Sequence, residues 1–222
     1  MDILIIGGTQ FVGRALVESA LAGGHTITLF NRGNTNPELF PQVTRIAGDR
    51  DGEIEKVGAG PWDVVIDTVG YLPGVVRQSA QYLKDKAQHY VFISTISVYA
   101  MEKLEPRFDE NAALIEFDGP EEEMPQNSLY GGRKVLCERE VEEAFPGRNL
   151  IIRPGLIVGP HDPTNRYTYW VGRLAKGGDV LITNDPWLGT GHLPDISIAI
   201  HVLLAGAITA AVGLLFGLPS LR

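Results

Sequence analysis

Six short apolar runs separated by stretches of helical periodicity are what most constrain the fold of this 222-residue chain. They are DILIIG (2–7), TITLFN (26–31), VTRIAGD (43–49), WDVVIDT (62–68), HYVFIST (89–95) and NLIIRP (149–154). Near-continuous apolar runs of this length suit parallel strands covered on both faces. Between them, FVGRALVESALA (11–22) puts Val12, Ala15, Leu16 and Ser19 on one helical face, and Gly23-Gly24 stops it. Further helices are expected over about 74–86 and over SLYGGRKVLCEREVEEAF (128–145). The alternation predicts an α/β domain over 1–154 with a doubly wound parallel sheet. From 155 to 222 the pattern loosens. A helix at about 166–176 and a strand at 179–183 are expected there.

With 44% hydrophobic and 21% charged residues, the composition excludes disorder as the default state. The net charge of −8 is unevenly placed. Residues 101–127 hold nine acids against Lys103 and Arg107, so this segment carries nearly all of the excess and reads as a solvated loop. Such a surface offers a nucleic acid little, and no nucleic-acid partner is expected. The lone cysteine, Cys137, excludes an intramolecular disulfide and a cysteine zinc cluster, and is read as a core residue. No basic leader or cleavage site precedes the first strand, so a cytoplasmic location is expected. The tail from Ile196 to Leu218 has no formal charge. It is long enough to span a bilayer or to form a buried helix, and both readings stay open. His25, His89, His161, His192 and His201 show no metal-ligand spacing, so no metal is expected. A Gly-x-Ser-x-Gly elbow and a Walker lysine are both missing, which removes hydrolase and NTPase readings.

The first strand runs into Gly7-Gly8-Thr9-Gln10-Phe11-Val12-Gly13. In a dinucleotide-binding turn the first glycine makes the bend, the middle one admits the pyrophosphate, and the last lets the helix pack on the strand. Gly7 and Gly13 take the outer roles, while Gln10 stands in the middle. Its side chain must push phosphates outward or sit where the backbone is re-routed, with its amide then free to donate to a phosphate. A merely structural glycine turn is the alternative. At the end of the second strand Asn31-Arg32 replaces the acid that would select NAD. Arginine there favours the 2′-phosphate of NADP, with NAD kept open and a solvated turn arginine as the alternative. Asp49, closing the third strand, is placed for the adenine amine, and Arg50 beside it is counted with the cofactor site.

Tyr130 and Lys134 lie four apart, on one face of the expected helix. A phenol acting as a base near neutrality must lower its pKa by about three, or ~4 kcal/mol. A neighbouring ammonium gives it a physical means to do so. The spacing alone is poor evidence, since ~0.2 such pairs arise by chance in a chain of this composition. Position strengthens it: Ile93-Ser94-Thr95-Ile96-Ser97-Val98-Tyr99 puts hydroxyls at the carboxyl edge of the sheet, where open α/β folds bind ligands.

Taken together, IGGTQFVGR, VVIDTVGY, VFISTISVY, YGGRK and IIRPGLIVGP resemble the extended short-chain dehydrogenase/reductase superfamily, in its NAD(P)-dependent epimerase/dehydratase/reductase branch. The resemblance covers residues 1 to about 180. It implies a Rossmann-like domain and an enzyme using NADP, or NAD, on a hydroxyl or carbonyl carbon of a small molecule such as a nucleotide sugar. Tyr130 would be the general acid/base, Lys134 would hold the nicotinamide ribose, and Thr95 would orient the substrate oxygen. Ser94 and Ser97 match that last position less well. Thr68 and Val69, in VVIDTVGY, would line the cofactor crevice. Arg153, His161, Arg166, Tyr167 and Tyr169 fall where such proteins begin their substrate lobe, and structural roles stay open for each. PDISIAI (194–200) faintly matches a later family segment, so 155–222 reads as a shortened or altered lobe. A homodimer through the Tyr130 helix is a further implication. The GGT-x-F-x-G turn also looks like atypical members, some RNA-associated and without catalysis. A non-catalytic dinucleotide-sensing or RNA-associated protein is therefore the rival reading.

Overall fold

A computed structural model describes residues 1–105, 107–117 and 129–177. Its six strands are β1 (Asp2–Ile6), β2 (Thr26–Asn31), β3 (Thr44–Ala47), β4 (Trp62–Asp67), β5 (Ala87–Ile93) and β6 (Asn149–Ile152). They form one sheet of order β3-β2-β1-β4-β5-β6, with every neighbouring pair parallel. This is the Rossmann-like doubly wound arrangement, whose strand order reverses between β1 and β4. A crevice opens at the carboxyl ends of those two strands in such folds, and both ends carry the motifs singled out above.

The helices are α1 (Phe11–Ala22), the short α2 (Arg50–Glu53), α3 (Pro73–Leu83), α4 (Leu129–Ala144) and α5 (Thr168–Ala175). Alternate residues of β1 feed two apolar layers. Ile3 and Ile5 pack with Val17 of α1 and with Ile27 and Leu29 of β2. Leu4 and Ile6 pack with Val65, Tyr90, Phe92, Val76 and Leu83, under α3 and α4. Burying each such side chain stabilises the fold by roughly 1.5–3 kcal/mol, which explains why a five-residue strand can sit at the centre of the domain. Pro73 begins α3 at a position where its missing N–H costs nothing.

The strands begin and end within a few residues of the expected runs. β5 starts at Ala87, two residues early, because Ala87 pairs with Trp62 although neither it nor Gln88 belongs to the apolar run. The link from β3 to β4 holds only α2 and a 3-10 turn over Ile54–Val57. Two compact units divide the chain, Met1–Trp170 and Val171–Arg222. Residues 155–170 thus fall in the first unit. The expected strand at 179–183 and the apolar tail at 196–218 lie outside the described residues.

Candidate functional site

The turn after β1 takes its shape from residues without, or with displaced, side chains. Gly7 and Gly8 have φ of +108° and +94°, which side-chain-bearing residues rarely adopt. A Cβ on Gly8 would stand 2.6 Å from Leu29 Cδ2, and one on Gly13 only 2.9 Å from the Gly8 nitrogen. α1 therefore lies directly against the turn. Gln10 is the extended N-cap residue of α1, and its side chain is exposed without capping the helix. Phe11, at φ +41°, completes the bend. The first helical bond runs from Arg14 N to Gln10 O, so the N–H groups of Phe11, Val12 and Gly13 stand ahead of it. Such groups, with the helix dipole, suit a phosphate.

Neighbouring side chains hold this turn by its carbonyls. Asn31 Nδ2 donates to Gly7 O at 2.8 Å while its Oδ1 accepts from Gly33 N at 2.9 Å. Asn36 Nδ2 donates to Thr9 O at 2.8 Å, a clamp that no sequence pattern announces. Thr68 Oγ1 donates to Ile6 O at 2.9 Å and ties β4 to the same corner. Arg32 is left exposed at the end of β2, and Val69 is exposed after β4.

Asp49 and Arg50 behave differently from one another. Asp49 is exposed and its Oδ1 accepts from Asp51 N, capping α2. Arg50 is buried between the sheet and α3, where its guanidinium donates to Asp67 Oδ1 at 2.7 Å and to Ser79 Oγ at 3.0 and 3.3 Å. Tyr90 donates to the other Asp67 oxygen at 2.9 Å, and Val69 N donates to Asp67 Oδ1 at 3.0 Å. Asp67, fully buried, thus anchors the turn that follows β4. Burial pushes the Tyr90 phenol well above its ordinary range.

On the other side of the crevice, Lys134 reaches across two strand ends. Its Nζ donates to Gly70 O at 2.7 Å and to Ile93 O at 2.8 Å, beside the Phe92 ring at 4.0 Å. An ammonium has three donors, and these two carbonyls take two of them. The residue is 2% exposed. Burial lowers its pKa from 10.5 to about 8, against the charges of Asp67, Cys137 and Glu138, which favour the ammonium, while Arg50 opposes it. Tyr130 stands one helical turn before it and is 51% exposed. Gly131 lets α4 rest on the Ser97 carbonyl, where any Cβ would collide. That close approach sets α4 against the turn that Thr95 begins. Thr95 is buried, accepts from Ser97 N at 3.2 Å and donates to Ser97 Oγ at 3.3 Å, capping the 3-10 turn Ile96–Val98. Tyr71 joins the cluster: its ring lies 5.5 Å from Lys134 Nζ, and burial and then Tyr130 and Asp67 raise its pKa.

The remaining candidates are scattered. Arg153 is committed to a buried ion pair with Glu138, at 2.8 Å, and to Tyr99 and the Glu110 carbonyl. His161 comes within 3.5 Å of Arg14 on α1. Arg166 and Tyr169 are exposed, the latter edge-on to Trp170. Tyr167 is exposed as well. Among the described residues no group of three His, Cys, Asp or Glu could hold a metal ion, and no helix is long and apolar enough to cross a membrane.

The profile of the NAD dependent epimerase/dehydratase family matches residues 3–208. The chain belongs to that family. It is 26% identical over 216 residues to the chloroplast stem-loop binding protein of 41 kDa b of Arabidopsis thaliana, covering 89% of this chain and 53% of that protein. Over 186 residues it is also 26% identical to N-acetyl-alpha-D-glucosaminyl-diphospho-ditrans,octacis-undecaprenol 4-epimerase of Escherichia coli O157:H7, covering 75% and 52%. The chain thus spans about half the length of these curated relatives. The fold is similar to that of the Bordetella bronchiseptica enzyme WbmH in complex with NAD+, with a TM-score of 0.63 and 18% identity over 79% of this chain and 62% of that one.

Proposed function

We propose that this family member is an oxidoreductase or epimerase/dehydratase that binds a nicotinamide dinucleotide, NADP in preference to NAD, and oxidises a hydroxyl-bearing carbon or reduces a carbonyl carbon of a small molecule of the nucleotide-sugar class. The observation that carries the reading is the buried Lys134 ammonium, held by the carbonyls of Gly70 and Ile93, one turn from Tyr130. The turn at Gly7–Gly13 fits a pyrophosphate, because its glycines let Thr68, Leu29 and α1 close against the bend where a Cβ would collide, and its first helical N–H groups face no intrahelical acceptor. Arg32 supplies the case for a 2′-phosphate, since the Asn31 amide is engaged with Gly7 and Gly33. Likeness to an epimerase of a sugar linked through a diphosphate to a polyprenol supports a diphosphate-linked sugar as substrate, and likeness to an enzyme solved with NAD+ supports a nicotinamide dinucleotide.

When bound, the nicotinamide supplies a hydride acceptor or donor. Tyr130 moves the proton of the substrate hydroxyl, and the Lys134 ammonium stabilises the charge that forms on the phenol oxygen. Thr95 orients the substrate oxygen. Tyr130→Phe should lower turnover by ~10²–10⁴-fold while leaving NADPH affinity nearly intact. Unchanged turnover in a folded Tyr130→Phe protein removes the mechanism.

The likeness to a stem-loop binding protein favours a second reading, an RNA-associated protein without chemistry. The acidic 101–127 segment weighs against it. RNA affinity that falls steeply with salt, together with no turnover across a panel of sugar nucleotides, decides for it.

A further inference from the structure

We propose that Glu138 is the positioning residue of this site: through Ser94 and Arg153 it sets α4 against the end of β5, and so places Lys134 and Tyr130 relative to Thr95. The inference rests on the reading of Lys134 and Tyr130 given above.

Tyr130, Lys134 and Glu138 follow one another at four-residue intervals, so they share one stripe of α4. Lys134 grips the carbonyl of Ile93, and Glu138 Oε1 accepts from the hydroxyl of Ser94, the next residue along. The residue after that is Thr95. Two successive rungs of the helix are thus fastened to two successive residues of the strand end, in a single register. Sliding the helix by one turn, about 5.4 Å, breaks both links at once.

The carboxylate that makes the second link is 2% exposed. Arg153 closes on it with Nε at 3.1 and 3.3 Å from the two oxygens and Nη2 at 2.8 Å. Its Nη1 donates to the Tyr99 hydroxyl at 3.2 Å and to the Glu110 carbonyl at 3.0 Å. The pair therefore joins α4, the end of β6, the segment after β5 and the loop at Glu110. Apolar residues fill such a place at lower desolvation cost, so the charges contribute geometry more than stability. Arg153 has each of its nitrogens engaged, which accounts for its place at the sheet edge without a substrate.

Lys134 reports on this arrangement, since Asp67 of β4, Arg50, Tyr71 after β4, and Cys137 and Glu138 of its own helix are the groups that face it. The test uses the full chain in wild-type, Ser94→Ala, Glu138→Gln, Arg153→Lys, Lys134→Met and Glu138→Gln/Lys134→Met forms. Two readouts are followed. The first is the rate of Lys134 acetylation by an amine-reactive reagent, resolved by mass spectrometry, with Lys84 and Lys86 as internal controls. The second is NADPH affinity as a function of pH.

Glu138→Gln is expected to speed Lys134 acetylation by about tenfold and to weaken NADPH binding by a similar factor. Its pH midpoint for binding should move, whereas Lys84 and Lys86 should react as before. Ser94→Ala, which cuts the link but keeps the ion pair, should show a smaller change in the same direction, and so should Arg153→Lys, which keeps the charge of the pair but loses its paired hydrogen bonds. The double variant should bind NADPH no more weakly than Lys134→Met alone. Should Glu138→Gln fail to fold, Ser94→Ala decides.

Unchanged Lys134 acetylation in folded Ser94→Ala and Glu138→Gln proteins overturns the proposal, as does an equal acceleration at all lysines. Losses that multiply in the double variant also overturn it. Failure of the wild-type chain to bind NADPH or NADH is a different result: it removes the cofactor reading, while acetylation still decides the role of Glu138.

Discussion

The two sides of the crevice are built on opposite principles. On the β1–α1–β2 side the site exists because side chains are missing. Gly7, Gly8 and Gly13 let neighbouring atoms close on the bend where a Cβ would collide, and Asn31, Asn36 and Thr68 hold it by its carbonyls. On the β4–β5–α4 side it exists because charges are buried. Arg50 with Asp67 and Arg153 with Glu138 anchor the two strand ends whose carbonyls Lys134 bridges. One side presents backbone N–H groups to an anion, whereas the other presents a single ammonium at a fixed point. A site divided this way can bind a long ligand by its phosphates at one end and position its reactive end at the other.

The contrast makes different substitutions dangerous on each side. The largest effect is expected from Asp67→Ala, which leaves Arg50 buried without its carboxylate and should cost roughly 3–5 kcal/mol of stability. Urea unfolding measures it, and a loss under 1 kcal/mol would show that the pair does not anchor the β4 end. Gly13→Ala comes next. The new Cβ meets backbone rather than a movable side chain, so α1 must shift, at ~1–3 kcal/mol. NADPH affinity should fall with it, and a variant that keeps both stability and affinity would break the steric account of the turn.

A third effect follows from protonation and is read as a change with pH. Lys134 titrates near 8 in the folded chain and near 10.5 when unfolded. Between these values the unfolded chain holds the proton more firmly, so burying the ammonium costs stability below about pH 8, and that cost fades as pH rises toward 10.5. The difference in unfolding free energy between wild type and Lys134→Met should shift toward the wild type across this window. A flat difference contradicts the buried ammonium.

This division also explains what the sequence could disclose. The six strands and the glycine turn were legible because both depend on local pattern: apolar runs for the one, residue absence for the other. The Tyr130–Lys134 pair was legible as a helical spacing. In sequence Arg50 counts with the cofactor site, and Arg153 as a substrate contact or a structural residue. Their ion pairs with buried acids were not legible, because a charge at a strand end looks the same whether it faces a ligand or an acid. Their partners, Asp67 and Glu138, lie 17 and 15 residues away in sequence. Only the assembled sheet brings them together. The Asn36 clamp on Thr9 was hidden for the same reason. Glu138 did leave a trace, as the third member of the Tyr130–Lys134 stripe.

The most direct test of the central claim is a titration of the wild-type chain and of Lys134→Met with NADPH and NADH at neutral pH, followed by nicotinamide fluorescence. The proposed function predicts ~micromolar NADPH binding by the wild type, NADH weaker by about tenfold, and a loss of about tenfold or more for both in Lys134→Met. Wild-type protein that binds neither nucleotide, or a Lys134→Met variant that binds them equally well, contradicts the assignment of this crevice to a dinucleotide.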